Sequence, residues 1–211
     1  MNYIRITKEN IDKEHICCAM SGKQSVAKKE WLRQRFGDGL IFYRSEERGK
    51  CFIEYIPAEN AWAPIMADGY LYIDCLWVSG SMKGHGYSND LLEACIRDAK
   101  TQGKKGICIL CAEGRKREFL ADPKFLAYKG FRVADRSDCG INLMAKSSRY
   151  RATSGLSPYR TCAHRVHSEG ACRLRGTDGE PLFGSLDSLY YGTSESIGCG
   201  AQQVFCPKLL V

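Results

Sequence analysis

Residues 70–103 constrain this chain more than any other stretch. They read YLYIDCLWV, then SGSMKGHG, then YSNDLLEACIRDAKTQG. The first piece is an apolar run broken by one charge, Asp74, and has the length of a strand buried on both faces. In the last piece Leu92, Cys95, Ile96 and Ala99 fall at i, i+3, i+4 and i+7, one apolar face of a helix. Lys100 in the last turn and Gly103 just beyond it supply the stop. Between strand and helix lies a loop with Gly80, Gly84 and Gly86. Such a loop gathers backbone N–H groups at the positive end of a helix dipole, which suits it to hold a phosphate or diphosphate. On this reading the N–H groups of Lys83 to Ser88 face the anion, and Gly84 and Gly86 leave room for its approach.

The loop lacks the spacing of a P-loop, and its glycines do not fit the dinucleotide-binding fingerprint. The run Ser81-Met82-Lys83-Gly84-His85-Gly86 instead resembles the Gln/Arg-x-x-Gly-x-Gly/Ala signature of the GNAT superfamily of acetyltransferases. Ser81 stands where that family usually has Gln or Arg. A second segment, Phe125-Leu126-Ala127-Tyr128-Lys129-Gly130-Phe131, is similar to the family's F-Y-x-x-x-G-F element. The resemblance covers roughly residues 1–146. It implies an acyl-CoA N-acyltransferase fold of the mixed α/β class: a central mixed sheet with one parallel strand–helix–strand unit, flanked by helices. It also implies that Lys83, Gly84, His85, Gly86, Tyr87 and Ser88 wrap the diphosphate of acetyl-coenzyme A, the co-substrate. Leu76, Trp77 and Val78 would then offer backbone N–H groups to the thioester oxygen.

The rest of that span reads consistently. Residues 3–7 alternate as a short strand; residues 10–20 and 26–36 read as two helices, the loop between them bordering the acceptor site in enzymes of the resemblance. Residues 40–44 and 51–56 form a hairpin around a polar, glycine-containing turn. Residues 57–68 are a loop carrying Trp62. Residues 106–112 form a second apolar strand, parallel to the first across a right-handed crossover. Asp122-Pro123 opens a short helix over 124–129, and residues 131–134 and 141–145 are two last strands.

Composition bounds the partners. A net charge of +7 without a basic block fits attraction to an anionic ligand rather than a nucleic-acid footprint. No apolar run has membrane length and the N-terminus is too charged for a signal peptide, so a cytoplasmic protein is expected. The 12 cysteines then read as reduced thiols, with Cys75, Cys95, Cys108 and Cys111 as small core hydrophobes. Cys108 and Cys111 have C-x-x-C spacing within a strand, where they point to opposite faces.

Composition shifts after Lys146. Residues 1–146 hold 14 Lys and 10 Arg, and residues 147–211 hold 1 Lys and 6 Arg. Turn formers punctuate the latter and neither strand nor helix periodicity persists. Residues 147–211 are expected to be a flexible tail, or a segment never selected to fold with the rest. No thioredoxin-like motif is visible there. Cys162, His164, His167 and Cys172 invite a zinc reading, but their spacing lacks the paired ligands of structural sites, and no metal is expected.

If the resemblance holds, an amine attacks a thioester. The amine must be neutral, so a base should take its proton. Asp74 is the best-placed base, with a salt bridge to an arginine of the first helices as its structural alternative; Glu113 is the runner-up. The family's usual proton donor to the departing thiolate is a tyrosine, and its position here is Leu126. Tyr128 lies two residues on, about 200° around a helix, and is carried as the candidate donor from another angle. The acceptor is a small-molecule or peptide amine, selected by the Trp62 loop and residues 135–140. The alternative is a domain that binds acyl-CoA without turnover.

Overall fold

The computed structural model describes residues 1–16, 22–114, 120–137, 140–148 and 173–174. A strand β1 (Tyr3–Ile6) is followed by helix α1 (Gly22–Arg35), the hairpin β2 (Ile41–Ser45) and β3 (Cys51–Pro57), and a two-residue strand β4 (Ile65–Met66). Then come β5 (Tyr70–Val78), helix α2 (Tyr87–Thr101), β6 (Gly106–Ala112), helix α3 (Pro123–Tyr128), β7 (Arg132–Arg136), β8 (Ile141–Ser147) and β9 (Arg173–Leu174). Seven strands make one sheet in the order β1-β2-β3-β5-β6-β8-β7. Its pairs are antiparallel except β5–β6, the pair joined through α2.

Strand periodicity divides the core between the two faces. Phe42, Phe52, Ile56, Tyr72, Cys108 and Leu110 pack on the α1 side. Ile53, Tyr55, Leu71, Ile73, Ile107 and Cys111 pack on the α2 side with Leu91 and Cys95. Cys108 and Cys111 thus lie on opposite faces, as an extended strand requires. Cys51, Cys75, Cys95, Cys108 and Cys111 form no disulfide among the described residues, and Cys75 is half-buried rather than fully in the core.

Three expectations are corrected. Residues 8–14 form turns, not a helix, and residues 17–20 of that expected helix lie outside the described residues. Asn10 braces the first of these turns: its side chain accepts from the Thr7 N–H at 2.8 Å and donates to the Arg5 carbonyl at 2.8 Å. Helix α1 starts at Gly22, not Val26. The Trp62 loop carries β4, which pairs with β9 through Ile65↔Leu174 and Met66↔Arg173, so part of the expected tail contributes a strand. The cysteines and histidines considered for zinc lie outside the described residues. Among the described residues no helix is long and apolar enough to cross a membrane.

Candidate active site

The pairing of β3 with β5 slips once. Glu54 faces Cys75 and Tyr55 faces Ile73, so Asp74 has no residue opposite it. A bulge of this kind bends its strand and sharpens the local twist. The parallel ladder runs from Tyr70↔Gly106 to Tyr72↔Cys108, whereas β6 stays paired with β8 through Ala112. The two parallel strands therefore part at the bulge and open a cleft. Leu71 to Ile73 are buried, Asp74 is exposed, and Leu76, Trp77 and Val78 are half-buried along the cleft.

The loop after β5 makes one tight turn, Gly80–Met82, and plugs it into the core through Met82, which is 7% exposed. The Lys83 N–H donates back to the Gly80 carbonyl at 3.2 Å, and those of Asn89 and Asp90 to the Gly86 carbonyl at 2.7 and 3.4 Å. The N–H groups of Gly84, His85, Gly86, Tyr87 and Ser88 have no partner among the described residues. The run of open N–H groups thus begins at Gly84, because Lys83 spends its own within the loop. Gly84 and Gly86 adopt φ +85° and +81°, and a Cβ on either would meet nothing within 4 Å. Backbone conformation therefore demands glycine at both positions, and the space before them is open to a ligand. Gly86 caps α2 without a side-chain bond, leaving the helix N-terminus to an anion. Lys83 is exposed, and His85 stacks on Tyr87 with ring centroids 5.4 Å apart. These residues fit a diphosphate.

Charge on the α1 side was only partly legible. Lys28 and Glu54, both essentially buried, form an ion pair of 2.9 Å, with Lys28 Nζ 3.8 Å from the centroid of Trp31. Glu54 was visible as the one charge in β3; nothing in α1 marked Lys28 as its partner. Arg35, also on α1, bonds Asp38 at 2.8 Å and lies 4.5 Å from the Trp62 ring centroid. Burial lowers the Arg35 pKa, opposed by Asp38 and Asp74. So the arginine expected near Asp74 is Arg35, which bonds to Asp38 while Asp74 stays exposed at the bulge.

The remaining candidates fall elsewhere. Glu113 pairs with Arg136 at 2.7 Å on the surface. Asp122 caps α3 by accepting the Lys124 N–H at 2.8 Å, with Pro123 at the first position. Leu126, at the usual tyrosine position, is 0% exposed within the α2-side core. Tyr128 is not brought into the cleft. It is 83% exposed, projecting from the end of α3.

A parallel pair that separates at a bulge, with a glycine-bounded helix N-terminus beside the opening, defines a domain of the GNAT acyltransferase fold. Over 149 residues the chain is 48% identical to YoaP, an uncharacterized N-acetyltransferase of Bacillus subtilis (strain 168). The match covers 69% of this chain and 59% of that protein, so the chain spans less than two thirds of its relative's length. No family model matches the chain. Solved structures similar to it include ribosomal-protein-alanine N-acetyltransferase from Brucella melitensis (14% identity, 70% of this chain and 99% of that one, TM-score 0.49). Aminoglycoside 6′-N-acetyltransferase from Enterococcus faecium is another (12%, 72% and 100%, TM-score 0.49). A third is the PaiA N-acetyltransferase of Thermoplasma acidophilum, a complex with coenzyme A (13%, 70% and 99%, TM-score 0.46).

Proposed function

We propose that residues 1–148 form an N-acetyltransferase unit that moves an acetyl group from acetyl-coenzyme A to an amine by direct attack in a ternary complex. The observation that carries this reading is the run of five unpartnered N–H groups from Gly84 to Ser88, set at the mouth of the cleft between β5 and β6. Carrying the unit two residues past Lys146 is supported by Ser148, whose N–H donates to the Lys105 carbonyl at 3.0 Å and whose hydroxyl donates to the Lys104 carbonyl at 2.7 Å. Free thiols in the core suit a reducing cytoplasm.

In this reading the diphosphate of the co-substrate rests on Gly84 to Ser88. Lys83 adds an exposed positive charge at the rim, where His85 is also exposed. The thioester arm enters the cleft along Leu76, Trp77 and Val78, whose backbone stabilises negative charge on the carbonyl oxygen. Asp74, exposed at the bulge, takes the proton of the attacking amine. The thiolate leaves without help from Leu126, which has no proton to give. The amine is a small-molecule or peptide amine entering on the side of Arg35 and Trp62.

Acetyl-coenzyme A consumption by the purified full chain should be followed with a panel of amines, reading coenzyme A by chromatography so that the protein's own 12 cysteines do not interfere. Amine-dependent release of coenzyme A with an acetylated product is the expected result. Coenzyme A binding with no turnover on any amine would instead favour an acyl-CoA-binding module.

A further inference from the structure

Tyr128 is more exposed than any other large apolar or aromatic side chain among the described residues, at 83%. An aromatic ring left in water is unremarkable alone, but its neighbour is not. Lys129 Nζ lies 4.9 Å from the Tyr128 ring centroid and 5.3 Å from that of Phe125, and it donates to Asn89 Oδ1 in the first turn of α2. The Asn89 N–H in turn donates to the Gly86 carbonyl at 2.7 Å, inside the glycine loop. A lysine at a helix end commonly caps its own carbonyls. Here that bond comes from Lys146, whose Nζ donates to the Lys129 carbonyl at 2.7 Å, while the Lys129 ammonium leans across to α2. Lys129 is half-buried, so its charge is held in place before any ligand arrives.

We propose that Tyr128 and Lys129 form a subsite for the nucleotide end of coenzyme A, with the Tyr128 ring as a platform for the adenine and the Lys129 ammonium paired with the 3′-phosphate. This rests on the coenzyme A reading given above. The ribose that carries both groups follows the diphosphate by a few bonds. A diphosphate seated on Gly84 to Ser88 therefore places them within reach of the turn that Lys129 touches. The ammonium has three donors and spends one on Asn89, leaving two for phosphate oxygens. The subsite also accounts for a tyrosine that stands near the ligand yet outside the cleft.

The test is isothermal titration of the full chain with coenzyme A and with 3′-dephospho-coenzyme A. The wild type should prefer coenzyme A by about ten-fold, the scale of one charge-assisted contact. Lys129→Gln should erase that preference by weakening coenzyme A alone, and Lys129→Arg should keep most of it. Tyr128→Ala should weaken both ligands by about five-fold or more, the scale of one stacked base, while Tyr128→Phe should change neither. If Lys129→Gln weakens both ligands equally, or neither, while Gly86→Val still abolishes binding, the subsite is wrong and the cradle stands. If folded wild-type protein binds neither ligand, the coenzyme A reading falls and takes the subsite with it.

Discussion

Lys28 on α1 and Glu54 on β3 meet at 2.9 Å with side-chain exposures of 2% and 1%, so the helix that flanks the cleft is fastened to the sheet by a pair of charges removed from water. Such a pair is costly to break and far less costly to replace whole. Lys28→Met should destabilise the protein by about 3 kcal/mol, because Glu54 keeps its charge and loses its cation. The double variant Lys28→Met/Glu54→Leu should recover most of that loss. Urea denaturation of the wild type and the two variants checks this, and a double variant as unstable as the single one would contradict it.

A Cβ at Gly106 would lie 2.3 Å from the Lys146 carbonyl oxygen, a backbone atom that cannot swing aside. Gly106→Ala should therefore lower stability by about 2 kcal/mol or more through overpacking where β6 meets β8. At Gly37 a Cβ would meet nothing within 4 Å, so Gly37→Ala should leave the melting temperature nearly unchanged. Equal thermal melts for the two variants would show that the β6–β8 contact yields easily.

The glycine loop makes a claim about backbone rather than charge. Gly86→Val adds bulk before the open cradle and forces a branched residue to φ +81°. It should weaken coenzyme A at least about ten-fold, whereas Lys83→Ala, an exposed charge, should cost less than about five-fold. Titration beside a melt of each variant separates lost binding from lost folding. Normal binding by folded Gly86→Val would remove the diphosphate from this loop.

Asp74 is assigned the amine proton because the bulge exposes it where β5 and β6 separate. Asp74→Asn should lower kcat by about a hundred-fold, within the usual range for a lost general base, and leave acetyl-coenzyme A affinity unchanged. An unaltered rate on any acetylated amine would sink the assignment. A large fall in melting temperature would point to a structural role beside Arg35.

Burial pushes the Cys111 thiol up to about 11, with Asp122 adding to it. A group whose pKa is raised by folding contributes stability that is complete below its unfolded value and is lost as pH climbs through the folded one. Cys111 ordinarily titrates near 9, so stability should fall between about pH 9 and pH 11, by on the order of 2 kcal/mol in all. Cys111→Ala should shallow that decline. Urea midpoints under reducing conditions at pH 8, 9.5 and 10.5 provide the measurement, and identical declines in both proteins would refute it.

The sequence by itself determined the strand–loop–helix–strand unit, because local rules govern each part. A continuous apolar run, glycines that φ near +80° requires, and an amphipathic repeat do not depend on distant contacts. It also determined the cap of α3, since Asp122 and Pro123 act within one turn. Tertiary structure decided what lies between segments. Asn10 reads in sequence as the start of a helix, whereas in the structure its side chain bonds Thr7 and Arg5 within a turn. Glu54 stood out in its strand, but only the packing of α1 across the sheet brought Lys28 to it. The bulge at Asp74 needs β3 as a ruler, because an extra residue exists only relative to a partner strand. Tyr128 was named from sequence for its hydroxyl; the packing of Leu126 into the core turned α3 so that Tyr128 faces water beside Lys129. A short helix has one inward face, and the apolar side chain that fills the core takes it.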